Sequence, residues 1–281
     1  MIPDIWSLAE NAGEDKEPLE RTLVVLGDNK SGKSSVLAGT FQDRGETKPT
    51  VALEYSYARP PLSFAEDKAL SHVYELGGGR LLGRLVSIPI NSETLPGLII
   101  LINLDLSRPY KVLDSLLFWI QVLNNRIQEV LSGMPQRQAQ KFSQRIQKKW
   151  ANHPDSSKLS PLPVPVLVVA NKYDVFADVE SENRKWMARV LRYFCHKNGV
   201  SLFYNSTKDS RLQGAVRQII THYLFGSATR KYEQKDHAQG IQISSGNDSF
   251  KSIGPPPKTQ GEDSDSQWQQ AFKETFPKPS K

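Results

Sequence analysis

A glycine-rich motif near the N-terminus constrains the fold of this chain more than any other feature. An apolar run at residues 23–26 precedes it, and a helical pattern over residues 33–40 follows it. Between a strand and a helix, such a turn lets backbone N–H groups surround phosphate oxygens at the positive end of the helix dipole. The motif has the form G-x-x-x-x-G-K-S and consists of Gly27, Asp28, Asn29, Lys30, Ser31, Gly32, Lys33 and Ser34, with Ser35 next. We therefore predict a phosphate-binding P-loop, in which Lys33 neutralises the β and γ oxygens and the Ser34 hydroxyl coordinates Mg²⁺.

Short apolar runs alternate with helical patterns along the chain. The predicted strands are residues 23–26, 51–55, 72–75, 85–88, 98–104, 166–170 and 201–204. The predicted helices are residues 33–40, 110–131, 137–150, 181–198 and 210–225. Strands that alternate with helices require right-handed crossovers. The pattern predicts an α/β fold, a doubly wound and mostly parallel sheet flanked by helices.

A second motif, N-K-x-D, directly follows the predicted strand at residues 166–170. Its aspartate, Asp174, is placed to accept hydrogen bonds from N1–H and the 2-amino group of guanine, and adenine offers no matching donor pair. Asn171 and Lys172 would brace the loop and cover the base. After the next strand comes a turn that resembles the guanine O6-binding loop of GTPases, namely Ser206, Thr207 and Lys208. The predicted ligand is a guanine nucleotide, GDP or GTP, with Mg²⁺.

Two further segments resemble the switch regions of small GTPases. Thr50 matches the threonine that senses Mg²⁺ and the γ-phosphate, so Ser34 and Thr50 are the predicted metal ligands. In Y-E-L-G-G-G at 74–79, Glu75 replaces the usual aspartate, Gly78 lies in the phosphate loop, and Gly79 replaces the glutamine that orients the attacking water. Without that side chain we predict slow or absent hydrolysis and no catalytic residue. Either a γ-phosphate-driven switch or a fixed close approach to phosphate would suit the three glycines.

Charge and composition exclude several classes of protein. The net charge is +6, but the excess is local, which fits a solvated or protein-docking helix better than a nucleic-acid groove. One cysteine, Cys195, permits no internal disulfide. Because the longest apolar stretch is too short to span a bilayer and the first twenty residues are acidic, we expect a soluble intracellular protein without membrane insertion. The basic stretch contains Arg126, Arg137, Lys141, Arg145, Lys148 and Lys149 against Glu129 alone.

Composition also divides the chain into three parts. Residues 1–20 form an extension, residues 21–226 the predicted domain, and residues 227–281 a polar, proline-containing tail predicted to be flexible. Near its end, residues 266–276 have the pattern of a short amphipathic helix, with Trp268, Phe272 and Phe276 on one face. This stripe would dock on a partner or pack back on its own domain, and both alternatives remain open here.

Several longer segments resemble the dynein light intermediate chain family, and within it the cytoplasmic dynein 2 branch. The resemblance extends from about residue 20 to residue 278. The segments are K-P-T-V-A-L-E-Y-S-Y-A-R at 48–59, Y-E-L-G-G-G at 74–79, S-I-P-I at 87–90, L-D-L-S-R-P at 104–109, P-V-P at 163–165, K-Y-D-V-F at 172–176, D-S-F at 248–250, and the aromatic stripe ending at Phe276-Pro277.

The resemblance implies a non-catalytic motor subunit whose Ras-like domain lies on the tail of the dynein 2 heavy chain. It implies retrograde intraflagellar transport and cilium assembly, with microtubule contact only through the motor. The expected locations are the cytoplasm, the cilium with its axoneme, and the ciliary base. A signalling GTPase-like switch that controls partner binding is the alternative.

Overall fold

The computed structural model describes residues 20–41, 50–60, 70–256 and 263–279. An eight-stranded sheet runs through it in the order β2-β3-β1-β4-β5-β6-β8-β7. The strands are β1 (Arg21–Gly27), β2 (Leu53–Ala58), β3 (Ser71–Leu76), β4 (Leu98–Asp105), β5 (Val166–Asn171), β6 (Ser201–Tyr204), β7 (Glu233–Gln234) and β8 (Gln242–Ile243).

The central strands are parallel. β3, β1, β4, β5 and β6 pair in parallel, whereas β2 joins β3, and β8 joins β6, in antiparallel fashion. β4 and β5 read as nearly continuous apolar runs and are buried along almost their whole length, as strands covered on both faces must be. The predicted α/β class with a mostly parallel sheet is confirmed.

Helices cover both faces of the sheet. Val36 and Ile219 share one apolar core, and Leu116, Leu191 and Trp268 share the other. The helices are α1 (Lys33–Thr40), α2 (Pro109–Gly133), α3 (Gln136–Trp150), α4 (Tyr173–Phe176), α5 (Ser181–Lys197), α6 (Ser210–Phe225), α7 (Phe250–Ile253) and α8 (Ser264–Thr275), with 3₁₀ helices at Gly79–Ser87, Leu95–Gly97 and Ser156–Lys158.

One predicted strand is wrong. Residues 85–88 were expected to be extended, but they lie at the end of the 3₁₀ helix Gly79–Ser87. Val86 is buried there, and Gly83 packs toward the ring of Phe118 on α2. A four-residue apolar run does not distinguish a strand from one turn of helix. Four residues are too few to show whether the apolar positions repeat every two residues, as in a strand, or about every 3.6 residues, as in a helix.

The chain after Gly226 departs from the predicted flexible tail. β7 and β8 extend the sheet, and α8 packs against α5 and α2. Trp268 is fully buried, with its ring centroid 6.0 Å from Trp186 and 5.4 Å from Tyr193. Phe272 and Phe276 are 3% and 8% exposed.

The prediction of a free, partner-docking helix is therefore corrected. The stripe of Trp268, Phe272 and Phe276 packs on its own domain, which is the second alternative given above. The physical reason is that α5 presents aromatic side chains that receive the stripe, and the intervening sequence gives no sign of that pairing. Residues 257–262 and 280–281 of the predicted tail, and residues 1–19 of the predicted extension, lie outside the described residues.

Hydrogen bonds from α5 also hold Asp248, Ser252 and Asp265 of the C-terminal segment, and we call this set of contacts the polar clasp. Arg192 of α5 donates two hydrogen bonds to the Asp248 carboxylate, at 2.8 and 2.7 Å, and both side chains are at least nine-tenths buried. Arg192 also donates to Ser252 Oγ at 2.9 Å. Tyr193 donates its hydroxyl to Asp265 at 2.8 Å. A buried, bidentate pair of this kind leaves an uncompensated charge when one partner is removed, so the clasp favours one position of the segment over others.

Candidate functional site

The P-loop lies at the edge where the parallel strands end. Gly27 closes β1 with φ +144°, and a Cβ atom there would lie 2.4 Å from the Asn103 carbonyl oxygen. Gly32 precedes α1 with φ +90°, and Lys30 has φ +63°. Residues with a side chain rarely adopt φ values of +144° or +90°, so the turn itself requires both glycines of the motif. Lys30 lies in the left-handed region, which non-glycine residues adopt occasionally.

Lys33 is the buried cation of the loop. Its Nζ donates to the carbonyl oxygens of Gly27, at 3.1 Å, and Asp28, at 3.0 Å. Burial lowers the pKa of Lys33, while the nearby Glu75 and Asp28 carboxylates act in the opposite direction. A phosphate would supply the anion that stabilises the charged form of this amine.

The structure brings together Ser34, one of the two predicted metal ligands, and Glu75, which replaces the usual aspartate. Ser34 Oγ donates to Glu75 Oε1 at 2.6 Å, and Glu75 is 2% exposed. A hydroxyl and a carboxylate are oxygen ligands that suit Mg²⁺. Thr50 is arranged differently, because its hydroxyl donates to Glu54 at 3.0 Å. The metal-binding role of Thr50 stays a prediction.

The three-glycine loop lies against the P-loop. Gly78 and Gly79 have φ +67° and +58°, and a Cβ atom on Gly79 would lie 3.1 Å from the Asn29 nitrogen. Arg80 then donates two hydrogen bonds to the Asp28 carboxylate, at 3.0 and 3.2 Å. Arg80 was not predicted as a site residue, although its place directly after the glycines was a usable signal.

The N-K-x-D loop is joined to the P-loop by hydrogen bonds. Asn171 is buried, and its amide donates to the Ser31 carbonyl at 2.8 Å and to Asn103 Oδ1 at 2.7 Å. It also accepts from Asn205 Nδ2 at 2.9 Å. Lys172 has φ +62° and pairs with Asp105 at 2.7 Å. Asn103, Asp105 and Asn205 were not predicted, but each lies within two residues of the end of a strand, which was the available signal.

Asp174 faces the predicted O6 loop. Ser206 donates its hydroxyl to Asp174 Oδ1 at 2.9 Å, and Lys208 Nζ lies 3.1 Å from Oδ2. Desolvation raises the pKa of Asp174, but the hydrogen bonds from Lys208 and Ser206 outweigh it, so the pKa is lowered overall. Thr207 is exposed beside them. An ionised carboxylate is the form that accepts both donors of a guanine edge.

A second cluster, remote from the P-loop, has the composition of a metal site. The possible ligand atoms of His153, Asp155 and His196 all lie within 4.8 Å of one another. Their polar atoms already have protein partners: Asp155 accepts from His196 Nε2 and from the Phe250 N–H, both at 2.9 Å, and the Asp155 N–H donates to His153. Burial lowers the pKa of His196, although the Asp155 carboxylate opposes this effect. The cluster thus fastens α7 to the domain.

The fold and this edge together define a mostly parallel α/β domain with a P-loop turn. The turn, the Ser34–Glu75 pair and the N-K-x-D loop lie together at one edge of the sheet. Within the described residues, no helix combines the length and hydropathy that crossing a bilayer requires.

The comparisons with known proteins specify the class further. The sequence profile of the family "Dynein light intermediate chain (DLIC)" matches residues 4–161 and 154–255. The "Cytoplasmic dynein 2 light intermediate chain 1" of Bos taurus is 34% identical over 253 residues, covering 89% of this chain and 72% of the relative. The Homo sapiens protein of that name is 34% identical over 249 residues, covering 87% and 71%. The chain belongs to the dynein light intermediate chain family.

A solved structure supports the fold. The crystal structure of the conserved domain of the dynein light intermediate chain superposes with a TM-score of 0.66 at 18% identity, covering 94% of this chain and 100% of that one. At this identity the similarity concerns the fold alone. It extends beyond residue 226, in agreement with the packed C-terminal segment described above.

Proposed function

We propose that this chain is a non-catalytic light intermediate chain of a cytoplasmic dynein 2 motor, which binds the heavy-chain tail and stabilises it. The observation that carries the proposal is 34% identity over 72% of the length of a relative with that name. In this role the protein serves retrograde intraflagellar transport and cilium assembly, and is found in the cytoplasm, the cilium and at the ciliary base.

The nucleotide has a structural or regulatory role in this proposal. Lys33 and the Ser34–Glu75 pair offer a place for phosphate and Mg²⁺, and Asp174 offers the guanine contact. A nucleotide that binds only the native state stabilises the fold by mass action. It would hold together the P-loop and the N-K-x-D loop, which Asn171 already connects.

Assembly with the heavy chain is the first test. Tagged wild-type protein and the Lys33→Ala variant are purified from ciliated cells, and co-purifying proteins and released nucleotide are identified together. We expect a dynein heavy chain with the wild type, and loss of nucleotide with Lys33→Ala. The control is Lys30→Asn, which changes an exposed lysine of the same loop and keeps a residue that tolerates positive φ.

The outcomes separate the two functions of the proposal. Recovery of the heavy chain with both the wild type and Lys33→Ala means that the nucleotide is dispensable for assembly. Its loss with Lys33→Ala alone means that the nucleotide, or the fold it supports, is needed. If no dynein subunit appears with either form, the motor assignment is wrong and the signalling GTPase-like switch becomes the leading function.

Slow hydrolysis is the second prediction for this site. The Gly79→Gln variant is expected to remain as slow as the wild type in single-turnover assays with GTP, because the position has φ +58° and faces Asn29 at 3.1 Å. The double variant Asn29→Gly with Gly79→Gln is the matched comparison: it removes the Asn29 Oδ1 at 3.4 Å but keeps the backbone nitrogen at 3.1 Å and the positive φ, so it is expected to remain slow as well. A wild-type rate comparable to that of ordinary small GTPases would contradict the prediction.

A further inference from the structure

A groove lies at the opposite edge of the sheet from the P-loop, where the parallel strands begin. It encloses about 460 Å³ between α3, the residues before β4 and the residues before β5. Its apolar wall includes Leu95, Phe142, Ile146, Leu162 and Pro163. Because the P-loop uses the other ends of these strands, a ligand in this groove would not compete with a nucleotide.

The rim of the groove is basic. α3 contains no aspartate or glutamate, and two of its cations, Arg145 and Lys149, line the groove. Among the described residues neither forms an ion pair with a carboxylate: Arg145 lies over the Phe142 ring at 5.9 Å, and Lys149 donates to Ser245 Oγ at 3.1 Å. An apolar wall beneath cations without carboxylate partners suits a segment that is both apolar and acidic.

The chain itself contains such a segment next to the groove. Arg21, the first residue of β1, lines the groove, and residues 1–19 precede it closely in the sequence. Ile2, Ile5, Trp6 and Ala9 stand at i, i+3, i+4 and i+7, the spacing of one apolar helix face. Residues 1–19 hold one lysine, Lys16, against the carboxylates of Asp4, Glu10, Glu14, Asp15 and Glu17.

We propose that residues 1–19 occupy this groove, with the Ile5–Trp6 face on the apolar wall and the carboxylates beside Arg145 and Lys149. Three independent features agree: the apolar spacing of the segment, the opposite charges of segment and rim, and the attachment of the segment to Arg21 at the groove. The segment thereby covers an apolar surface that would otherwise be exposed to water, and neutralises part of the basic face of α3.

Disulfide cross-linking in the full chain tests this placement. Ser7→Cys is combined with Ser143→Cys or with Gln144→Cys, both of which replace exposed residues. Helical geometry places position 143 roughly 60°, and position 144 roughly 160°, around α3 from the groove-lining Ile146. The native Cys195 is 2% exposed and serves as a silent third cysteine. We expect intramolecular cross-linking with position 143 to be roughly tenfold faster or more, because docking raises the effective concentration.

Two further variants distinguish docking from random encounters of the two thiols. Trp6→Ala, and separately the pair Arg145→Glu with Lys149→Glu, are expected to reduce the rate at position 143 by roughly tenfold, toward that at position 144. Arg145 and Lys149 are exposed, so the domain is expected to remain folded in the double variant, and circular dichroism checks this for both variants. Equal rates at 143 and 144, unchanged rates in these variants, or cross-linked dimers in place of the intramolecular product would each overturn the proposal.

Discussion

Replacing Trp268 with alanine is expected to lower the free energy of unfolding by about 3–5 kcal/mol. The side chain is fully buried between α8 and α5, with the Arg189 guanidinium 5.1 Å from its ring centroid. Alanine would remove this apolar surface and leave a cavity that the flanking rings of Trp186 and Tyr193 fill only in part. For a domain of ordinary stability this is a large share of the total.

Urea denaturation measures this loss. The matched control is Lys273→Ala on the same helix, which is exposed and is expected to change stability by less than about 0.5 kcal/mol. If Trp268→Ala cost no more than the control, α8 would not be part of the folded domain in solution, and a free docking helix would again be the better description of residues 266–276.

Changing Asp174 to asparagine is expected to weaken GDP binding by about 3–5 kcal/mol, roughly 10²- to 10⁴-fold in Kd. The carboxylate would lose two charge-assisted hydrogen bonds to the guanine edge, and its amide would present a donor to another donor. Xanthine carries an oxygen in place of the 2-amino group, so the amide of the variant matches it. The variant is therefore expected to prefer xanthosine diphosphate to GDP.

Calorimetric titration of both nucleotides with the wild type and the variant gives the comparison. Asp178→Asn is the control, since Asp178 is an exposed carboxylate a few residues further along the chain. Reversal of preference in Asp174→Asn alone supports the guanine contact. Unchanged GDP affinity would remove Asp174 from the site, and a wild type that binds neither nucleotide would end the cofactor proposal.

Local sequence signals predicted much of the domain. The bounds of α1 and α6 were predicted without error, because a phosphate turn precedes α1 and the N-cap side chain of Asp209 begins α6. The predicted strand at residues 51–55 is observed as Leu53–Ala58, with an edge position that the apolar pattern did not indicate. The strand predicted at 85–88 failed because four apolar residues are compatible with either period.

The candidate site was predicted in part. Its motifs are contiguous and could be read directly, whereas its supporting residues come from separate strand ends. Asn171 reaches Ser31 across 140 positions, and Arg80 reaches Asp28 across 52. No local pattern records contacts at such separations, because they depend on which strands become neighbours in the sheet.

The sequence by itself determined that this chain is an α/β protein with a P-loop, since backbone angles, helix capping and apolar periodicity act over only a few residues. Only the tertiary structure decided the fate of the chain after Gly226. The same stripe of Trp268, Phe272 and Phe276 fits a partner or its own domain equally well as a pattern. The surface of α5 decided between these alternatives. Trp186 and Tyr193 pack against Trp268 of the stripe, and Arg192 forms an ion pair with Asp248. The free energy gained by burying the stripe depends on the surface against which it packs. The sequence of the stripe alone does not reveal that surface.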